Sequence, residues 1–286
     1  MCRLFAMNAG EHAATASFWL LDAPDSLTVQ SHREPDGTGL GWFDDEDRPH
    51  VSKQPIAAYE DRAFAHSAHD LRSRTFVSHI RFASTGSLHR RNTHPFEQRG
   101  RLFAHNGVIE DLPALEAHLG EDLALVKGDT DSERFFALIT REVQAREGDV
   151  EEGIIAACRW IAAQLPVFAI NFVLATPGRV WALRYPLTHE LYVLQRPPGE
   201  ALEHRSSLGS HITSAHGADH PLVVIASERM NGDEDWVEIT SGELVSVAPD
   251  LHVTRREILG DPPAHLLTLA DLDERAKASQ AKVPSA

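Results

Sequence analysis

"MCRLFAMNAG", residues 1–10, is the stretch on which the reading of this chain turns. Its apolar run predicts a strand over "CRLFAMNA". It also sets one of only two cysteines directly behind the initiator methionine. Two readings of Cys2 stand open at this point. One is an accident of composition. The other is chemical, because removal of methionine before a small residue leaves Cys2 with both a thiol and a free α-amine. An ordinary thiol titrates at about 8.5 and an α-amine at ~7.7–8.0, so the two are matched for proton transfer near neutral pH. Nucleophile and base would then sit on one residue.

Working outward, 286 residues suffice for one large domain or two modest ones with a real core. Hydrophobic residues at 42% and charged residues at 24% are ordinary for a soluble protein. The longest apolar stretches, such as "VFAINFVLA", fall far short of a bilayer span, and no secretory signal opens the chain. Cys2 and Cys158 do not make a disulfide framework. The expectation is a cytoplasmic, enzyme-sized protein. A formal net charge of −15 argues against a nucleic-acid surface, since phosphate binding needs clustered Lys and Arg, and the run "HRRNTHPF" is too short to reverse that.

Strands are expected at "GTGLGWF", whose glycines suit close packing against another backbone, at "TFVSHIRFAS", and at "GRLFAHNGVI" entering an Asn-Gly turn. Helices are expected at "ATASFWLLDAP", at "LPALEAHLG" ending on Gly120, at "DTDSERFFALITREVQAR" with Asp129 or Thr130 near its start, and at "VEEGIIAACRWIAAQL" before Pro166. Seven β-rich runs follow, from "FAINFVLAT" to "HVTRREI". This is not a regular strand–helix alternation. The main domain is expected over 1–260, and 261–286 as an extension holding one amphipathic helix before a polar tail.

Three further stretches, "HIRFASTG", "AHNG" and "GDTDSE", stand in order behind "MCR". Together they resemble the glutaminase domain of the class II glutamine amidotransferases, which are N-terminal-nucleophile hydrolases. With "PDGTGLGWF", "NTHPF" and "VVIASE…DWVEI", the likeness is to the stand-alone bacterial branch that includes the γ-glutamyl hydrolase of ergothioneine biosynthesis. It covers roughly Cys2 to Ile258. The resemblance implies an α+β fold, a four-layer αββα sandwich of two antiparallel sheets between helix layers. No cofactor and no metal is expected.

The residue chemistry fits this likeness. Cys2 would attack a side-chain amide and form a γ-glutamyl thioester, with the α-amine carrying the proton. The oxyanion needs preorganised donors. The side-chain amide of Asn106 and the backbone N–H of Gly107 match the family's oxyanion hole, although Asn-Gly is also plain hairpin-turn chemistry. A glutamyl group carries a carboxylate and an ammonium. The resemblance assigns these to Arg81, a planar guanidinium fork, and to Asp131, with Ser84 as a hydroxyl on the carboxylate. The plain alternatives are a surface arginine at a strand end and a helix-capping aspartate. Thr85 and Phe82 stand where a related branch has histidine and tryptophan.

Other residues carry weaker signals. Asp36 reads as support near the nucleophile, Ser227 and Glu228 as outlying polar groups, and Cys158 as packing. His66 with His69, and His216 with His220, have metal-pair spacing but no evident third ligand. His79, His89 and His94 flank the motifs without a required role. No glycine-rich phosphate loop and no recognisable synthase region follows. The leading expectation is a hydrolase of the γ-glutamyl amide bond of glutamine or a γ-glutamyl conjugate. Its rivals are a glutaminase subunit feeding ammonia to a separate synthase partner and an inactive glutamyl-metabolite-binding protein. Oligomeric state is left open.

Overall fold

β1 (Arg3–Asn8) alternates strictly, with Leu4 and Ala6 in one apolar cluster and Phe5 and Met7 in another. Such a strand is buried on both faces and belongs at the centre of a layered structure. The structure, a computed structural model, describes residues 2–83, 86–198, 202–205, 211–214 and 220–280. Its first sheet contains β1, β2 (Gly37–Phe43), β3 (Pro49–Gln54) and β4 (Thr75–Arg81). The second is built on β5 (Phe96–Gln98), β6 (Arg101–Ile109), β7 (Pro166–Thr176) and β8 (Arg179–Arg184). Of the later strands, β9 (Tyr192–Arg196), β12 (Leu222–Ala226) and β13 (Val237–Glu238) join the first sheet. β10 (Leu202–Arg205) and β11 (His211–Ser214) form a separate ribbon, and β14 (Glu243–Val247) and β15 (Val253–Glu257) extend the second sheet.

The strand orders are β13-β9-β12-β1-β4-β2-β3 and β15-β14-β8-β7-β6-β5, antiparallel throughout these paths. β16 (His265–Leu266) adds to β7 in parallel. Between the sheets lie Leu4, Ala6, Val77, Leu102, Ala104, Val173, Ala182, Val223 and Val245, the alternate residues of strands from both. The other face of the first sheet is covered by the helical turn 18–22, α1 (Leu27–Gln30) and α2 (Arg62–Asp70). The other face of the second is covered by α3 (Leu112–Leu119), α4 (Asp131–Ala145) and α5 (Val150–Gln164). The result is the expected four-layer αββα sandwich. α6 (Glu274–Gln280) closes the described chain.

Local chemistry sets the ends of these elements. Thr130 caps α4 by accepting the Glu133 N–H, and Asp149 caps α5 by accepting the Glu152 N–H. α3 ends at Gly120, whose φ of 57° suits a residue without a Cβ. Gly39 in β2 lets another backbone come close: a Cβ there would lie 2.0 Å from the His94 carbonyl oxygen. Cys158 is fully buried in the α4–α5 core, and burial pushes its thiol pKa far up.

One expectation is corrected. Asn106 and Gly107 do not form a turn. They lie inside β6, opposite Asn171 and Ile170 of β7, and the strand continues to Ile109 across an irregularity at Val108. A Cβ on Gly107 would sit 1.8 Å from the Ala169 carbonyl oxygen, so the glycine serves strand contact and not reversal.

Candidate active site

Register brings the two ends of the site together. β1 runs antiparallel to β4 with Arg3 opposite Ile80, so Cys2, just before β1, meets the end of β4 at Arg81. The Cys2 thiol donates to the Phe82 carbonyl and accepts from the Phe82 N–H, both at 3.3 Å. Burial raises the Cys2 pKa, while the Phe82 hydrogen bond and the Arg81 charge pull it back. Asp36 accepts the Ala83 N–H at 2.8 Å and steadies the same segment.

From the other sheet, β6 delivers Gly107 and the start of α4 delivers Asp131. A small cavity is lined by Cys2, Arg81, Phe82, His94, His105, Gly107, Thr130, Asp131 and Ser132. Four of the six residues singled out in the sequence therefore share one cavity. Asn106 adjoins it through Gly107 but does not line it; its Oδ1 is buried with no hydrogen-bond partner among the described residues. Ser84 lies outside the described residues, as do Thr85 and His216. The α4 cap is Thr130, so Asp131 is not a capping residue; its Oδ2 accepts the Ile109 N–H at 3.0 Å and ties α4 to β6. Arg81 Nη1 donates to the Ser87 carbonyl at 3.2 Å. Burial lowers the Arg81 pKa, and Cys2, Asp36 and Asp131 oppose that shift.

Ser227 and Glu228, expected from the sequence as outlying polar groups, act here beside residues to which the sequence assigned no role. Arg3 donates to the Cys2 carbonyl and pairs with Glu34 at 3.2 Å and Glu228 at 3.1 Å, anchoring the residue behind the nucleophile. Ser227 Oγ accepts the Leu4 N–H at 3.0 Å. His105 Nδ1 lies 2.9 Å from Ser132 Oγ, which in turn lies 3.4 Å from Asp131 Oδ1. Asn92 is a buried strut whose amide donates to Ser87 O and Asp129 Oδ2 and whose Oδ1 accepts the Asp129 N–H. It links the loop after Arg81 to the turn before Asp131. A charged residue inside an apolar strand (Arg3) and an asparagine before "THP" (Asn92) were the available signals. His66 and His69 each pair with Asp70 on α2.

His79 and His94 lie tilted against each other with ring centroids 4.1 Å apart, His94 on the cavity lining and His79 fully buried beside it. Burial holds the His79 pKa down to about 3. An unfolded histidine takes up its proton near 6.5, so between pH 6.5 and 3 the unfolded state binds more protons. The stability contributed is complete above pH ~6.5 and is lost as pH falls through that window, at about 1.4 kcal/mol per pH unit. His79→Gln should flatten the slope of unfolding free energy against pH, measured by urea titration from pH 7 to 5. Unchanged slopes would contradict the burial argument.

Two facing antiparallel sheets between helices, with a cysteine at the end of a central strand, define the architecture of N-terminal-nucleophile amidotransferase domains. Over 91% of this chain the structure matches the Bacillus subtilis glutamine phosphoribosylpyrophosphate amidotransferase at a TM-score of 0.64 and 16% sequence identity, and it spans 50% of that chain. The sequence profile of the glutamine amidotransferases class-II matches residues 1–257, so the chain belongs to that family. YafJ of Escherichia coli K12 is 27% identical over 181 residues, 60% of this chain and 69% of YafJ. The γ-glutamyl-hercynylcysteine sulfoxide hydrolase of Mycolicibacterium smegmatis is 27% identical over 244 residues, 82% of this chain and 90% of that enzyme. Among the described residues, no helix is long and apolar enough to cross a membrane.

Proposed function

We propose that this chain hydrolyses a γ-glutamyl amide bond through a thioester on Cys2. The observation that carries the reading is that Cys2, Arg81, Gly107 and Asp131 line one cavity. The name of the M. smegmatis relative, a γ-glutamyl hydrolase, supports the bond type.

With Met1 removed, the Cys2 α-amine takes the thiol proton, and the thiolate attacks the γ-carbonyl carbon. Charge moves onto the carbonyl oxygen, where the Asn106 amide and the Gly107 N–H stabilise it. Collapse breaks the C–N bond, and the ammonium returns the proton to the departing nitrogen. Water then attacks the thioester, giving glutamate and free thiol. Arg81 reads the α-carboxylate, a task the family resemblance shares with the Ser84 hydroxyl. Asp131, on the cavity lining, reads the α-ammonium.

Arg81 and Asp131 should therefore fail on different analogues. Arg81→Ala is expected to lose preference for a free α-carboxylate over an α-carboxamide. Asp131→Ala is expected to stop discriminating against N-acetylated substrate. Truncating one partner of a desolvated charge pair costs about 2–5 kcal/mol, so each selectivity should fall by more than about tenfold. The check is kcat/KM for both variants on both analogues; loss at the same end in both variants would undo the assignment. Turnover of a panel of γ-glutamyl amides by the isolated chain tests the function itself. Silence without a synthase partner would favour an ammonia-supplying subunit.

A further inference from the structure

His105 stands directly before Asn106 and Gly107 on β6, lines the cavity, and has no part in the mechanism above. It is buried, with its ring perpendicular to that of Phe135 at 5.6 Å and nearly parallel to that of Phe103 at 6.5 Å. Its two nitrogens meet different groups. Nε2 lies 3.3 Å from the Ala169 carbonyl oxygen on β7, and Nδ1 lies 2.9 Å from Ser132 Oγ in the first turn of α4.

These partners fix where the hydrogens sit. A carbonyl oxygen only accepts, so Nε2 carries a hydrogen. Burial lowers the His105 pKa, against the pull of Asp131 and of the Ala169 hydrogen bond, and favours the neutral ring. A neutral ring with its hydrogen on Nε2 presents a lone pair at Nδ1. Ser132 has one hydroxyl hydrogen and two acceptors in reach, Nδ1 at 2.9 Å and Asp131 Oδ1 at 3.4 Å. The nearer acceptor takes it.

The choice matters at Asp131. A hydroxyl hydrogen on a carboxylate oxygen offsets part of its charge and competes with the N–H groups of a cation. We propose that His105 is a positioning residue for the ammonium end of the site: it draws the Ser132 hydrogen away from Asp131 and so keeps that carboxylate's charge for the α-ammonium of the substrate. This rests on the γ-glutamyl hydrolase reading, in which Asp131 binds the ammonium, and adds two residues to that reading.

The test is calorimetric binding of L-glutamate and of glutarate to the full chain, since the two differ by the α-ammonium alone. Wild type is expected to bind glutamate more tightly. His105→Gln sets an amide nitrogen near the place of Nε2 and nothing at Nδ1, so it keeps the donor to Ala169 and loses the acceptor for Ser132. His105→Asn does the reverse, with its amide oxygen near the place of Nδ1. The preference for glutamate should fall about fivefold in His105→Gln, the scale of one neutral hydrogen bond, and be largely kept in His105→Asn. Adding Ser132→Ala to His105→Gln removes the competing hydrogen and should restore the preference. A brace between β6 and β7 would give the opposite order, with His105→Asn the worse variant and no repair by the second truncation. If that order is found, or if His105→Gln keeps the full preference, the inference falls while the hydrolase reading stands. If wild type shows no preference, the inference falls together with the assignment of Asp131; if it also hydrolyses no γ-glutamyl amide, the reading itself falls.

Discussion

Cys2→Ala is expected to abolish turnover while leaving the fold intact. The thiol fills little space and its two hydrogen bonds are both to Phe82, so its loss leaves the sheets paired. No other group in the cavity replaces it as a nucleophile: the described lining offers the hydroxyls of Thr130 and Ser132, and Ser132 is held between His105 and Asp131. Cys158→Ala supplies the contrast. It removes a buried sulfur from the α4–α5 core and should lower stability with little change in kcat. Steady-state kinetics and thermal unfolding of both variants separate the effects. Equal losses of activity from the two would assign the cysteines a structural role.

Asn106→Ala carries the second-largest expected effect. Its amide is proposed to bond chiefly to the oxygen that gains charge in the transition state, so kcat should fall more than KM rises. Loss of one such donor costs ~10²–10³ in kcat, or about 2.7–4 kcal/mol. Gly107→Ala is not an equivalent test. The added methyl would meet the Ala169 carbonyl at 1.8 Å and displace β7, mixing catalysis with folding. Near-normal kcat in Asn106→Ala would remove that residue from the oxyanion hole.

Much of this architecture can be read in the sequence because its signals are local. Thr130 and Asp149 stand where helix caps belong, Gly120 where a helix stops, and Pro166 where α5 gives way to β7. The alternating glycines of "GTGLG" mark a close backbone approach, and Gly39 meets the His94 carbonyl. Asn106–Gly107 was misread for the same reason: turn propensity is a local signal, and here pairing with β7 overrides it. What stayed illegible depends on long-range register. Arg3 reaches Glu34 and Glu228 only once β1 is set in its sheet. Asn92 meets Asp129 across 37 residues, and no spacing rule links them. The placement of α6 against Val108 and Ala169 is likewise invisible until β16 docks on β7.

The central claim is a free N-terminal cysteine acting as nucleophile, and the most direct measurement is mass spectrometry of active protein labelled by a glutamine-like electrophile. The account predicts an intact mass lacking one methionine, one label per chain, and that label on the peptide beginning with Cys2. Full activity in chains that retain Met1, or labelling at Cys158 in place of Cys2, would contradict it.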